Sequence, residues 1–371
     1  MKWPPSVQAS AARLAAGVLV LLPLALSAQQ TPPSPTQPSD WRQANDAVGA
    51  YPRGHADVLK WERAHPASQQ APEAAVPGTA VPTLDDAVSR AWLPHPELAR
   101  VQSRLGPQNV QAIASGRWEA LDPSLQRRVD DMGELLEVAA QARKAWLEAV
   151  AARQTVRHQQ TRLEAAQAAS ELGQRMVAVG NWSRLQLSPW LLAEASARMD
   201  LRRASFAAAQ AQTRLIDLLG LSGVDTALAL PDRLPDVPAT AVPDAELQQR
   251  ASAIQAQLPA AEQRRNKALA PTAIAAYQTA HALALDSRDV VLKERTFITE
   301  ETVLHYNGML KSVWDLLDET LNQAQATADA IAAQRDFWIA QTDLQWVLQG
   351  GTPDRFVSLA GGEQAPTAAA H

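Results

Sequence analysis

Two stretches decide the fold: Arg175–Leu185, R-M-V-A-V-G-N-W-S-R-L, and His305–Asp318, H-Y-N-G-M-L-K-S-V-W-D-L-L-D. In each, a glycine closes one long helical pattern and another pattern starts within a few residues. Glycine takes up the left-handed backbone of a helix end at little steric cost. The first return pattern runs to the L-L-G of Leu218–Gly220, the second to the V-L-Q-G of Val347–Gly350. The two turn glycines, Gly180 and Gly308, lie 128 positions apart. The chain reads as one antiparallel helical hairpin used twice, and the fold class expected is all-α, with duplicated long coiled-coil hairpins.

Outward from the first turn, the pattern is helical from Asp122-Pro123 to about Ala178, with proline suited to a first helical position. At ~1.5 Å per residue such a helix is roughly 80 Å long. Leu135, Ala142, Ala149, Val156 and Leu163 fall seven apart on it, as do Leu185, Leu192, Met199, Phe206 and Thr213 on the return helix. A seven-residue repeat held over several turns predicts supercoiled pairing. In the second copy a helix is expected from Asp244 to Leu269, a break at Pro271, and a long helix from Thr272 to Leu304. The last helix carries Leu310, Leu317, Ala324, Ile331 and Trp338 in one heptad track.

The 371 residues are 46% hydrophobic but only 5% aromatic. Alanine fills much of the apolar share, and alanine is the strongest helix former. Residues 1–28 read as a secretory signal, with Lys2 and Arg13 ahead of the apolar run Leu14–Leu26 and Leu26-Ser27-Ala28 as the cleavage end. Residues 29–82 form a Pro/Ala-rich linker holding a short docking segment at 41–65. Helical repeat 1 spans 83–222, with Thr83 as its N-cap. A Pro-rich linker follows at 223–243, then helical repeat 2 at 244–350 and a disordered tail at 351–371. The expected location is exported: periplasmic, with association to the outer membrane.

Several chemistries are excluded. Net charge is −5, without the basic character of a nucleic-acid binder. No cysteine is present, so there are no disulfides, thiolate metal sites or thiol catalysis. No nucleophile elbow, phosphate loop or H-E-x-x-H motif occurs. The seven histidines are scattered, with none of the close helical spacing of a metal site; His305 beside the second turn is the one to inspect. Neither an enzyme nor a cofactor is expected.

The two hairpin turns, the R-L-I-D-L-L-G-L of Arg214–Leu221, the R-D-F-W-I-A-Q-T-D-L-Q of Arg335–Gln345 and the segment Trp41–Glu62 together resemble the TolC-type outer-membrane efflux factor family. The resemblance implies a homotrimer in which each copy gives paired helices to a hollow twelve-helix periplasmic cylinder. It implies docking tips for a periplasmic adaptor protein, linked to an inner-membrane pump, at Gly180, Asn181, Ser183 and Leu185 and at Asn307, Gly308, Met309 and Ser312. The family's V-D-x-x-D pore constriction is matched by W-D-L-L-D, which makes Asp315 and Asp318 candidate gate residues. Two acids three apart share a helix face; equally, acids in a first turn complement the helix dipole.

The chain departs from that family where barrel strands belong. A membrane strand needs ~9–11 residues of alternating pattern. The expected insertion points, 114–130 and 269–277, hold no such segment. Two functions follow: an efflux-system component that docks an adaptor through its tips, or a barrel-less periplasmic helical scaffold without transport.

Overall fold

The computed structural model describes residues 79–221 and 228–359. The signal segment, the docking segment 41–65, nearly all of the linker 29–82 and the tail from residue 360 lie outside them.

Among the described residues the architecture is all-helical, as expected. Helix α1 is Leu84–Ala91, α2 Leu98–Ala114, α3 Leu125–Arg128, α4 Met132–Ala178 and α5 Arg184–Leu218. Helix α6 is Asp244–Gln255 and α7 Ala260–Asp286; a π-helical segment, Ser287–Leu292, joins α7 without a break to α8, Lys293–Asn307. Helix α9 is Val313–Val347. A two-residue parallel pairing of β1 (Thr79–Ala80) with β2 (Leu228–Ala229) is the described β-structure.

The long helices form one layer. Helix α4 packs on α5 and on α9, and α9 packs on the α7–π–α8 rod. The order across the layer is therefore α5, α4, α9, α7–α8, with α5 and the rod as its edges. The apolar core gathers at the end away from the turns. Leu135, Leu136, Trp146 and Leu147 of α4 are buried there with Trp118 and Ile113, and Phe337, Ala340 and Val347 of α9 with Tyr277 and Ile254. Toward the turns the core thins to Leu163, Ala166 and Ala197.

Several boundaries differ from the sequence reading. Thr83 does cap α1, its Oγ1 accepting from the Asp86 amide at 3.1 Å. The long helix α4, however, starts at Met132 rather than at Pro123, because Asp131 is left-handed (φ 61°). The break expected at Pro271 falls at Pro259 instead, which precedes α7; Pro271 rides inside that helix. The residues 351–359 are not loose: Phe356, Val357 and Leu359 pack on the core. At both expected strand positions the chain does something else. Residues 115–131 make a short helical connector pinned by the buried Trp118, whose indole donates to Ile113 O at 2.7 Å. Residues 269–277 lie within α7, burying Ala270, Ala273, Ile274 and Tyr277.

The described part of the Pro-rich linker is held at several of its carbonyls. Its backbone lacks a ladder, so side chains supply the partners. Arg153 donates to Leu230 O, Arg157 to Asp232 O, Arg288 to Val237 O, and Gln334 and Trp338 both to Pro235 O. His281 Nε2 lies 2.9 Å from Pro238 O. The donors come from α4, α7, the π segment and α9, so this strap ties the two hairpins together.

A buried ion pair crosses the same seam. Lys144 Nζ of α4 lies 2.8 Å from Asp343 Oδ1 of α9, which is 1% exposed. Burial pushes the Asp343 carboxyl above the usual carboxylate range, against the pull of Lys144. A raised folded-state pKa means that the folded protein binds this proton more tightly than the unfolded chain, so the group costs stability as pH rises through its folded pKa. Lys144→Met strands that charge. Near neutral pH it is expected to cost about 3–5 kcal/mol, with part of the loss recovered on acidification and by the added change Asp343→Leu. Denaturant unfolding of the single and double variants at two pH values measures this.

Candidate functional site

The site is the paired turn end of the two hairpins. At the first turn α4 stops at Val179, and Gly180 takes φ 79°. The amides of Asn181 and Trp182 then donate to Met176 O at 2.9 and 3.2 Å. Ser183 caps α5: its Oγ accepts from the Gln186 amide, and the Gln186 side chain accepts from the Ser183 amide at 2.8 Å. This reciprocal capping box satisfies two otherwise orphaned donors.

The second turn repeats these bonds atom for atom. The amides of Leu310 and Lys311 donate to His305 O at 2.8 and 3.3 Å. Ser312 caps α9, with Asp315 in the place of Gln186. Equivalent residues are thus 129 positions apart, as Ser183 and Ser312 are. The glycines, at 128, are out of register by one. Gly180 corresponds to Met309, which is left-handed (φ 59°), while Gly308 is an ordinary helix cap (φ −81°). The second turn therefore places a bulky side chain where the first uses glycine, a conformation that costs an L-residue about 1–2 kcal/mol. His305 serves the turn through its carbonyl; among the described residues no His, Asp and Glu group has the arrangement of a metal site.

Asn181, Ser183, Leu185, Asn307, Gly308, Met309 and Ser312 are all exposed. With Leu304 and Leu310, two of them, Leu185 (81% exposed) and Met309 (93%), make an apolar surface at the end of the layer. Asp315 and Asp318 are also exposed but differ in use. Asp315 Oδ2 accepts from the Ser312 amide and hydroxyl at 2.8 and 2.7 Å. Those bonds hold its carboxyl below the usual range. Among the described residues Asp318 is bonded only to its own helix, accepting from Asn322 Nδ2 at 3.4 Å.

Two features escaped the sequence reading. The first is a tryptophan clasp between the turns. Trp182 of the first turn stacks on Trp314 of α9 with centroids 4.2 Å apart, and Trp190 closes on the same ring at 5.1 Å. Gly173 makes room: a Cβ there would stand 2.8 Å from Leu187 Cδ1. The second feature corrects an expectation. The track Leu185, Leu192, Met199 and Phe206 does not pair with α4; its side chains are 49–81% exposed. The seam to α4 lies two residues on, about 200° around the helix, at Leu187, Glu194, Leu201, Ala208 and Leu215. The opposite edge matches it. Leu283, Val290, Phe297 and Leu304, also seven apart, are 42–61% exposed along the α7–π–α8 rod. Two heptad tracks on one helix were the signal for two partners.

No family model and no curated protein matches the sequence. Among solved structures, the fold matches a crystal structure of CusC, reported for the conformational changes that accompany folding and transmembrane channel formation. The TM-score is 0.50 and the identity 13%, over 72% of this chain and 96% of that one. A membrane protein from Pseudomonas aeruginosa is similar at TM-score 0.46 and 13% identity, over 64% of this chain and 74% of that one. At this identity the CusC likeness is one of fold: the all-helical, TolC-like hairpin architecture expected from the turns.

The one-residue offset at the turns is testable. Met309→Gly relieves the left-handed strain at the second turn and is expected to raise stability by about 0.5–1 kcal/mol. Gly180→Met imposes the same strain on the first and is expected to lower it by about 1–2 kcal/mol. Thermal unfolding of the two variants should move in opposite directions. If both lower the midpoint, Met309 is not the structural equivalent of Gly180.

Proposed function

We propose that this chain is an exported, periplasmic helical subunit of a TolC-like solute-export assembly. It closes with further copies of itself into a tube and presents its turns to a periplasmic adaptor that links it to an inner-membrane pump. The observation that carries the reading is the pair of exposed heptad tracks. Leu185, Leu192, Met199 and Phe206 on one edge and Leu283, Val290, Phe297 and Leu304 on the other are apolar surfaces of coiled-coil spacing without a partner among the described residues. Such contiguous exposed surface marks an interaction site. Both edges are apolar at the same spacing, and packing each against the other of a neighbouring copy continues the layer. With four long helices per copy, the twelve-helix cylinder implied by the family resemblance takes three copies.

The turns point the same way in every copy of such a ring, and Leu185, Met309 and Leu310 supply the docking surface. Gly180, Asn181, Ser183, Asn307, Gly308 and Ser312 hold the two loops that present it. Of the two candidate gate acids, Asp318 is the freer to line a constriction, because Ser312 engages Asp315. Three copies of Asp318 around one axis make an acidic ring that favours cations.

A specific observation also favours a scaffold without transport: a helical connector at 115–131 and an unbroken helix at 269–277 stand where strands are expected. The proposed role therefore stops at the periplasmic tube.

Phe206→Glu combined with Phe297→Glu is expected to leave helical circular dichroism intact and to convert the assembled protein to a monomer in sedimentation velocity. A wild type that is monomeric at tens of micromolar would overturn the ring. Site-specific crosslinking from Ser183 and Ser312 to a co-expressed adaptor separates docking from scaffolding. Asp318→Asn should alter cation sensitivity of export only if the residue lines a conducting tube.

A further inference from the structure

The clamped strap covers a cavity of ≈ 490 Å³ between α4, the π segment and α9. That volume lies within the usual range of small-molecule sites, about 300–1,000 Å³. Its floor is apolar, made by Leu292, Ala330 and Ile331, and its rim carries the guanidinium groups of Arg157, Arg233 and Arg288. Two acids share the rim. Asp232 is held by Arg157 at 2.9 Å and by Arg153 at 3.3 Å, and Asp236 lies in the field of Arg288. Arg288 is held by Asp289 at 2.7 and 2.8 Å, whereas Arg233 has no hydrogen-bond or ion-pair partner among the described residues, so it is the guanidinium at the mouth of the cavity that is open to a ligand.

The helix irregularity lies at the same place. The π-helical turn Ser287–Leu292 brings both Arg288 and Leu292 to this cavity. Before it Ala270, Ile274, Tyr277, His281 and Ala284 are buried, and after it the buried face of the rod narrows to Thr302, with Arg295 half-buried. Single-turn π segments are rare and concentrate at functional sites. The strap is held without a ligand by helix side chains on the carbonyls of Leu230, Asp232, Pro235, Val237 and Pro238.

We infer that this cavity binds a small amphipathic organic anion, a monocarboxylate with an alkyl or single-ring body, its carboxylate paired with Arg233 and its body laid on Leu292, Ala330 and Ile331. A guanidinium suits this task because it pairs a carboxylate through two parallel N–H bonds. A bare inorganic anion would leave the floor unused, and an amphipathic cation would leave Arg233 unpaired. The site is independent of the ring and of the docking tips.

Isothermal titration calorimetry on the full chain tests it, with octanoate, octylammonium and acetate as ligands. Octanoate is expected to bind at one site per chain with a sub-millimolar Kd, and the other two to give no saturable heat. Arg233→Gln touches no bond of the fold and is expected to weaken octanoate roughly tenfold, the loss of one charge-assisted pair, with unchanged circular dichroism. Ala330→Trp fills the floor and should abolish binding; if that variant unfolds, Arg233→Gln alone decides. Equal binding of octanoate and octylammonium would mean adsorption to the exposed heptad edges and would overturn the site. So would undiminished binding by Arg233→Gln, or no saturable heat with octanoate at millimolar concentration.

Discussion

The contact between α4 and α9 is the constraint on which the rest of the molecule depends. A hairpin made of α4 and α5 alone is poorly founded: α5 buries only Leu187, Ala197 and Leu215 along its length. Helices this long gain stability from burying a face, not from propensity alone. The burial comes where the repeats meet, at Trp146, Leu147 and Val150 of α4 and at Phe337, Ala340 and Leu344 of α9. Lys144 and Asp343 fix the register of that contact, because a lateral slip by either helix would leave a charge unpaired in the core. The strap adds a second, polar registration, with donors from α4 and α9 meeting on neighbouring carbonyls. Duplication in this chain produced two halves of one layer, not two independent domains.

The turns show how far two copies can diverge while keeping one geometry. The bonds at Met176 O and His305 O, and the serine caps that follow, are the same in both. What changed is which residue carries the left-handed conformation and which side chain closes the capping box. Gln186 became, in effect, Asp315: a shorter acceptor that still reaches the Ser312 amide and brings a charge to a helix N-terminus, where it is favoured. Met309 carries strain that glycine would avoid, at the most exposed apolar side chain of the surface. Strained residues persist where the surroundings or the function hold them, and the adjoining Trp182–Trp314 stack holds this end of the layer in one arrangement.

The fold class was legible because its signals are local. Heptad spacing, a glycine or serine at each turn and alanine-rich helices need no tertiary information. The element starts were less legible, since proline marks a break only when the alternative is cheaper. Pro259 stops the chain where Gln257 and Leu258 already leave the helix, whereas Pro271 is tolerated because Ala270, Ala273 and Ile274 are buried against α9. Aligning the two turns on their glycines misplaces the register by one residue, and the serine cap is the better marker. The tryptophan clasp joins residues more than a hundred positions apart, and no periodicity links them. The cavity under the strap is a tertiary product of a π turn and a proline segment, neither of which announces the other.

The exposed edges are also informative about what kind of assembly the layer allows. Helix α4 runs toward the turns, α5 and α9 away from them, and the α7–α8 rod toward them again. Across the layer the directions alternate from α5 to α4 to α9 to the rod. Setting the rod of one copy against α5 of the next preserves that alternation, so the packing between copies is of the same antiparallel kind as the packing within one. The two edges are different surfaces, so this contact is head-to-tail, and a head-to-tail contact either closes into a ring or runs on as a filament. A two-fold dimer through α5 alone would leave the row from Leu283 to Leu304 uncovered in both copies. Only continuation in one rotational sense covers both rows and keeps all turns on one rim.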